Sequence, residues 1–295
     1  MNPRVLFLVN PASGNGSTGK HWPALERRAA ELGLHGDSVV SQHPGHLGEV
    51  AREAGNALLV VVGGDGTLNE VVNGAAATDA ELAVLPAGTG QDFGRTHGIP
   101  AAFDEAVRIV LDGQPRSIDL GRVECEDGAR LFANVGSVGM SGAVARRANG
   151  MSKALGGRVT FFYALTREFL AWRNTEVTVR LDDGEKRGRM HDVVVANGRW
   201  HAGGMKLAPD ASFDDGLFDV VLIGNVNKLD FVTTAPKLYS GGHVRHPKIE
   251  VVRSASVAVD AAEPLPIEVD GEPVGTTPAR FDVVPRALRV RVPRA

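Results

Sequence analysis

Apolar positions in the first third of the chain fall in short runs separated by segments of helical period. RVLFLV (4–9), SVVSQH (38–43), NALLVVVGG (56–64) and LAVLPAG (82–88) read as four strands. Between them HWPALERRAAELGL (21–34), GHLGEVAREAG (45–55) and TLNEVVNGAAA (67–77) read as helices, the first with Pro23 placed in its opening turn. Strands alternating with helices of this length predict a doubly wound, mostly parallel sheet covered on both faces. Ligands of such a sheet sit at the carboxyl ends of its strands.

After Asp119-Leu120-Gly121 the pattern changes. RLFANVG, EVTVRLDD, RMHDVVVANG, LFDVVLIG, KIEVVRSASVAVD, LPIEVDGEP and RFDVVPRALRVRV follow one another with turn residues between them, the mark of antiparallel β structure. One helix interrupts them, RVTFFYALTREFLAW (158–172), apolar enough to be read as a core helix rather than an exposed lipid-gripping surface. The prediction is an α/β domain over residues 1–121 and a β-rich, sandwich-like domain over 122–295, with the last strand allowed to pack back on the first domain.

A length of 295 residues suits two domains. The formal charge is 32 minus 35, or −3, which gives no basic field for nucleic acid. Cys125 is the only cysteine, so an intramolecular disulfide and a cysteine-based zinc site are excluded, and a reducing cytoplasm fits. No apolar run approaches the ~18 residues of a transmembrane segment. The expected protein is soluble, or visits a membrane only at its surface.

The loop GNGSTGK (14–20) matches two phosphate motifs at once and satisfies neither. A Walker loop needs a hydroxyl after its lysine, and here His21 follows Lys20. A dinucleotide fingerprint needs its first glycine directly after the strand and an acid closing the second, yet four residues intervene and Asp37 precedes strand two. A plain glycine turn and an anion site at a helix start both remain open, the second favoured by position.

Chemistry concentrates at the ends of the third and fourth strands, in GGDGTLNE (63–70) and LPAGTGQDFGR (85–95). Glycines let backbone approach a polyphosphate, and Asp65 puts a carboxylate where magnesium or a transferring phosphoryl group would lie. A tight turn with Asp65 or Thr67 as helix cap is the competing reading.

NPASG (10–14), GGDGTLNEVVNG (63–74) and PAGTGQDFGR (86–95) resemble the diacylglycerol kinase catalytic-domain superfamily, whose members include bacterial soluble lipid kinases and the sphingosine and ceramide kinases. FANVGSVGMSGAV (132–144), DDGLFDVVLI (214–223) and IEVDGEP (267–273) resemble its later motifs in order, so the likeness covers nearly the whole chain. The resemblance implies a NAD kinase/diacylglycerol kinase-like fold with its active site in an interdomain cleft. It also implies ATP- and Mg2+-dependent transfer of the γ-phosphate to a lipid hydroxyl, first of all diacylglycerol to phosphatidic acid. It assigns ATP to Asn10, Pro11, Ser13, Gly14, Ser41, Gly63, Gly64, Asp65, Gly66, Thr67, Asn69, Glu70 and Thr89. It assigns a structural magnesium to Asp215 with main-chain oxygens of Ser212 and Leu217, and catalysis to Asp270, Glu272 and Asp65, with either Asp270 or Asp65 as general base. Gln91 departs from the asparagine usual in GTxND.

Both late motifs keep a bland reading, since DDG (214–216) and DGE (270–272) are good turn sequences. A lipid substrate implies a cytoplasmic protein, peripheral at the inner membrane face, and a homodimer is compatible with the sequence. Arg146, Arg147, Lys153 and Arg158 could touch anionic head groups, although scattered surface charge is the default. A kinase of a soluble substrate such as NAD and a non-catalytic nucleotide-binding protein of the same fold are the alternatives. GT-x-x-DF and the late VDGE favour the lipid kinase over both.

Overall fold

A computed structural model describes residues 3–88, 90–151 and 157–294. They divide into two units, Met1–Asp119 with Pro285–Ala295, and Leu120–Val284.

In the first unit β1 (Val5–Val9), α1 (Ser17–Glu31), β2 (Asp37–Val40), α2 (His46–Glu53), β3 (Leu58–Gly63), α3 (Asp65–Ala75) and β4 (Glu81–Pro86) alternate, followed by α4 (Asp92–His97) and α5 (Phe103–Asp112). The strands are parallel in the order β2-β1-β3-β4. β3 is flanked on both sides, and Leu59, Val60, Val61 and Val62 are fully buried, which is why this run is apolar at every position. β2 is an edge with Asp37, Ser38 and Val40 exposed, and its sequence is correspondingly mixed. Beyond β4 the carboxy-terminal strand (Ala279–Val292) adds parallel through Arg289 and Val290. Glu81, nearly buried on β4, is ion-paired with Arg291, whose guanidinium also donates to the Val110 carbonyl at 2.6 Å.

One predicted boundary moves. α1 starts at Ser17, directly behind Gly16 in the left-handed region, so Pro23 lies inside the helix and not in its first turn. The start is set by the glycine loop rather than by the proline.

The second unit contains the latter half of β5 (Gln114–Cys125), then β6 (Gly128–Phe132), β7 (Val135–Gly139), α6 (Met140–Asn149), α7 (Gly157–Ala171), β8 (Thr175–Leu181), β9 (Gly184–Met190), β10 (Asp192–Ala196), β11 (Phe218–Ile223), α8 (Lys228–Thr234), β12 (Ile249–Ser254), β13 (Ser256–Ala261), β14 (Pro266–Val269), β15 (Glu272–Thr276) and the first part of β16, the carboxy-terminal strand. One antiparallel sheet runs β12-β11-β10-β7-β14-β15. Opposite it β16, β13, β8 and β9 pair antiparallel, and β5 pairs with β6. Val177, Val179, Val257 and Phe281 from one layer meet Val193, Val195, Phe218 and Ile267 from the other in a single core, the signature of a sandwich. Phe132 sits at its centre, stacked on Phe218 at 5.8 Å and edge-on to Phe281 at 6.2 Å.

The reading of α7 as a core helix holds for one face only. Ala164 is buried with Phe161, Leu165 and Phe169 against Met140 and Val144 of α6, while Phe162 and Leu170 stand in solvent.

Two buried neighbours on β10's leading edge titrate in opposite senses. Burial pushes the Asp192 carboxyl up to about 7, against the partial offset of hydrogen bonds from the Ser141 hydroxyl and N–H. Burial pushes the His191 imidazole down to about 4. The folded chain binds the Asp192 proton more tightly than the unfolded chain, so this group's contribution falls as pH rises from about 4 to about 7. His191 binds its proton less tightly when folded, so its contribution is lost as pH falls through the same range. These two contributions should therefore largely offset each other across this window. Urea unfolding at stepped pH should show Asp192→Asn losing stability on acidification, and His191→Gln gaining it.

Candidate functional site

The carboxyl ends of β1, β3 and β4 are tied together by side chains that the sequence places in three separate motifs. Asn10 continues the sheet by donating its N–H to Val62 O at 3.1 Å. Its side-chain oxygen accepts the Ala12 N–H at 3.0 Å, and its amide nitrogen donates to the buried Thr67 hydroxyl at 2.9 Å. Pro11 accepts the Gly19 N–H at 3.2 Å, and a Cβ on Gly19 would lie 2.9 Å from the proline ring. Gly14, Asn15 and Gly16 all take positive φ (59°, 56° and 81°), so the loop turns sharply into α1. The Thr18 hydroxyl then donates to Ala87 O at 2.7 Å, and the Ser13 hydroxyl to the same oxygen at 3.4 Å. GNGSTGK is thus a turn stapled to the end of β4.

The loops after β3 and β4 touch through bare backbone. A Cβ on Gly88 would fall 2.5 Å from Gly64 Cα, and one on Gly90 would fall 2.0 Å from Asp65 Oδ2. Asp65, first residue of α3, accepts the Asp92 N–H at 3.1 Å on Oδ1 and 3.3 Å on Oδ2, and the Phe93 N–H at 3.5 Å. Its carboxylate caps the start of α4 across the gap between two loops. Gln91 takes the left-handed region (φ 61°) and donates its side-chain amide to Gly88 O at 3.1 Å. Asparagine tolerates that region better than glutamine, so Gln91 holds a backbone conformation unfavourable to its own side chain. Arg95 was overlooked by sequence reasoning, although it ends the quoted motif. It bonds to the Gly90 carbonyl and to buried Asp92 at 2.8 Å, with its side chain 39% exposed, and brings a cation to the strand ends.

Asn10, Pro11, Ser13, Gly14, Gly63, Gly64, Asp65, Gly66 and Thr67 therefore gather in one place. Ser41 lies at the end of β2, its N–H on Val9 O at 2.8 Å and its hydroxyl turned to His43 O at 3.1 Å. Two motif residues have structural employment elsewhere. Asn69 is fully buried and receives the Asn73 amide at 3.3 Å, and Glu70 accepts the N–H groups of Leu47 and Gly48 at 2.7 and 3.3 Å, capping α2. Thr89 and Lys153 lie outside the described residues.

In the second unit Asp270 and Gly271 are the two central residues of the β14–β15 hairpin, with φ 49° and 86°. Positive φ at both is what a tight type I′ turn requires. Asp270 folds its carboxylate inward, accepting N–H groups from Ala133 at 2.8 Å, Asn134 at 3.0 Å and Val135 at 3.1 Å. Glu272 begins β15, half-buried, opposite Val269. Beneath the turn the buried Glu268 accepts the Gly271 N–H at 2.7 Å and the Ser137 hydroxyl at 2.7 Å, with His201 Nε2 at 3.1 Å. Burial raises the Glu268 carboxyl, but His201 and these donors outweigh it and hold the group below its ordinary value.

Asp215, the expected magnesium ligand, pairs with protein groups on both carboxylate oxygens. One carboxylate oxygen takes the Leu217 N–H at 3.1 Å and the other is ion-paired with Arg253, while the Ser212 hydroxyl turns to Asp214 at 2.9 Å. A magnesium ion held by Asp215 with the main-chain oxygens of Ser212 and Leu217 would have to displace the Arg253 guanidinium from that carboxylate.

Residues 4–123 match the family model described as the diacylglycerol kinase catalytic domain, and residues 134–292 the YegS C-terminal NAD kinase beta sandwich-like domain. A Mycobacterium tuberculosis protein named diacylglycerol kinase is 31% identical over 99% of this chain and 96% of its own length. A Pseudomonas aeruginosa protein named probable lipid kinase YegS-like is 38% identical over 83% of this chain and 80% of its own. The crystal structure of a diacylglycerol kinase from Bacillus anthracis superposes with a TM-score of 0.74, covering 98% of this chain and 96% of that one at 20% identity, a likeness of fold.

Gly88→Ala should cost about 1–3 kcal/mol in urea unfolding, because the clash is backbone on backbone and no rotamer relieves it. Asp270→Asn should cost a similar ~1–3 kcal/mol, since either amide orientation sets an N–H donor against an N–H donor.

Proposed function

Because the chain belongs to the diacylglycerol kinase catalytic-domain family, we propose that it is a lipid kinase that transfers the γ-phosphate of magnesium-bound ATP to a lipid hydroxyl, with diacylglycerol as its first substrate and phosphatidic acid as product. The observation that carries this reading is the convergence of the loops after β1, β3 and β4, with Gly88 against the Gly64 backbone and Gly90 against the Asp65 carboxylate. A helix N-terminus and bare amides at the end of a parallel sheet are a ready anion site, and α3 opens at that point.

Phosphoryl transfer is governed by positioning and charge neutralisation. Asp65 is suited to the metal that arrives with the nucleotide, and Arg95 to the phosphate charge. Gly64, Gly66 and Thr67 would present backbone N–H groups. Asp270 would accept the proton of the attacking hydroxyl, with Glu272 beside it on the same hairpin and Glu268 holding the turn. General-base help is worth only ~10²–10⁴, against accelerations that start near ~10⁶, so most of the effect falls to the phosphate loops and the metal. A membrane surface, approached from the cytoplasm, is where this substrate is met.

The test is transfer of labelled phosphate from ATP with magnesium to a panel of detergent-dispersed lipids, with NAD as the soluble control. Phosphatidic acid from diacylglycerol is the expected product, and phosphate on NAD alone would overturn the reading. Asp65→Asn should shift the magnesium dependence. Asp270→Asn should lower kcat by ~10²–10⁴ at unchanged KM for ATP, measured below its own melting temperature so that lost folding is not scored as lost chemistry.

A further inference from the structure

The turn that carries Asp270 and leads into Glu272 is fastened through both backbone groups of Gly271. Its N–H donates to Glu268 Oε2 at 2.7 Å, and its carbonyl accepts the Asn149 side-chain amide at 3.1 Å. The other oxygen of Glu268 takes the Ser137 hydroxyl at 2.7 Å and meets His201 Nε2 at 3.1 Å. The Glu268 side chain is 1% exposed and that of His201 11%. Ser137 and Gly271 bring neutral donors, so among the described residues the charge of this buried carboxylate is answered by the imidazole. We propose that His201 is a positioning residue for phosphoryl transfer: by pairing with Glu268 it fixes Gly271, and through Gly271 the direction of Asp270 and Glu272. The proposal rests on the lipid-kinase reading for the chemistry it serves.

The loop that delivers His201 is tied to the same backbone that Asp270 grips. Asn197 and Gly198 donate their N–H groups to Asn134 O at 2.9 and 2.7 Å, and the Asn197 side-chain amide donates to Ala133 O at 2.8 Å. Asp270 takes the N–H groups of Ala133, Asn134 and Val135. One short stretch of chain is thus held by the hairpin on its N–H groups and by residues 197 and 198 on its carbonyls. Past them, His201 and Met205 exchange both backbone bonds, at 2.8 and 2.9 Å. Ala202, Gly203 and Gly204 between them all take positive φ (50°, 81° and 112°). A residue with a side chain persists in that region only where its surroundings hold it, so the turn sets His201 in one place.

Removing one member of a buried charge pair costs more than removing both, because the orphaned charge stays out of water. Burial raises the Glu268 carboxyl, and His201 is the largest of the influences that bring it back below its ordinary value. Without the imidazole the carboxyl would take a proton more readily, and the bond to Gly271 would lose the charge that strengthens it. The hairpin would then be free to turn its carboxylates away from the attacking hydroxyl.

The experiment uses the full chain and two readings: hydrogen exchange of the Gly271 amide by NMR without substrate, and steady-state transfer from ATP to detergent-dispersed diacylglycerol. His201→Phe should speed exchange at Gly271 by at least ~10-fold and lower kcat by roughly 10- to 100-fold at unchanged KM for ATP. Adding Glu268→Gln removes the orphaned charge, so the double variant should regain at least ~3-fold in kcat over His201→Phe. His201→Gln keeps an amide donor without the charge and should fall between wild type and His201→Phe in both readings; it decides the matter if the phenylalanine variant does not fold. A Gly271 amide unmoved by either substitution, wild-type kcat in both, or a double variant no more active than His201→Phe would each overturn the proposal. If the wild type phosphorylates no lipid, the kinase reading fails by itself, and exchange at Gly271 still decides whether His201 sets the hairpin.

Discussion

Two stretches of backbone in van der Waals contact, Gly64 after β3 and Gly88 after β4, set the terms for the rest of the first unit. With no side chain between them the loops close on each other, and the space left over is filled by Asp65, whose carboxylate caps α4 from the neighbouring loop. The β1 loop joins through Asn10 to Thr67 and through Thr18 to Ala87. Polar groups of the motif are thereby spent partly on one another. As the proposed anion cradle these loops would be preorganised, their donors aimed by packing, which is how fixed dipoles act at least reorganisation.

The second unit uses the same economy at its hairpin. Asp270 and Gly271 meet the stereochemical demand of a two-residue turn, while the Asp270 carboxylate organises the Ala133–Val135 backbone. Glu268, fully buried, braces the turn from below through Gly271, Ser137 and His201. The turn reading and the catalytic reading of DGE are therefore compatible, and a carboxylate so held has a fixed direction.

Much of the fold was legible because burial leaves a direct trace. β1, β3 and β4 are buried and read as unbroken apolar runs, and the alternation with helices gave the parallel sheet. The β-rich second unit announced itself through closely spaced runs and turn residues. What escaped was set by tertiary contact. α1 begins where a left-handed glycine releases it, so Pro23 misled as a boundary. Asn69 and Glu70 sit in a phosphate-type motif, yet one is buried and the other caps α2, a distinction that depends on where α2 packs. That Arg253, 38 residues on, reaches the Asp215 carboxylate is likewise invisible in the local sequence. The apolar residues of α7 could not be divided between core and surface until its partners α6 and α8 were known.

The central claim is that the loops after β1, β3 and β4 cradle a triphosphate around Asp65. Backbone amide NMR shifts, followed while a non-hydrolysable ATP analogue with magnesium is added, test it most directly. The account predicts saturable shifts concentrated at Gly14, Gly64, Gly66, Thr67, Gly88 and Gly90. Shifts confined to other parts of the chain, with these amides unmoved at saturation, would contradict it.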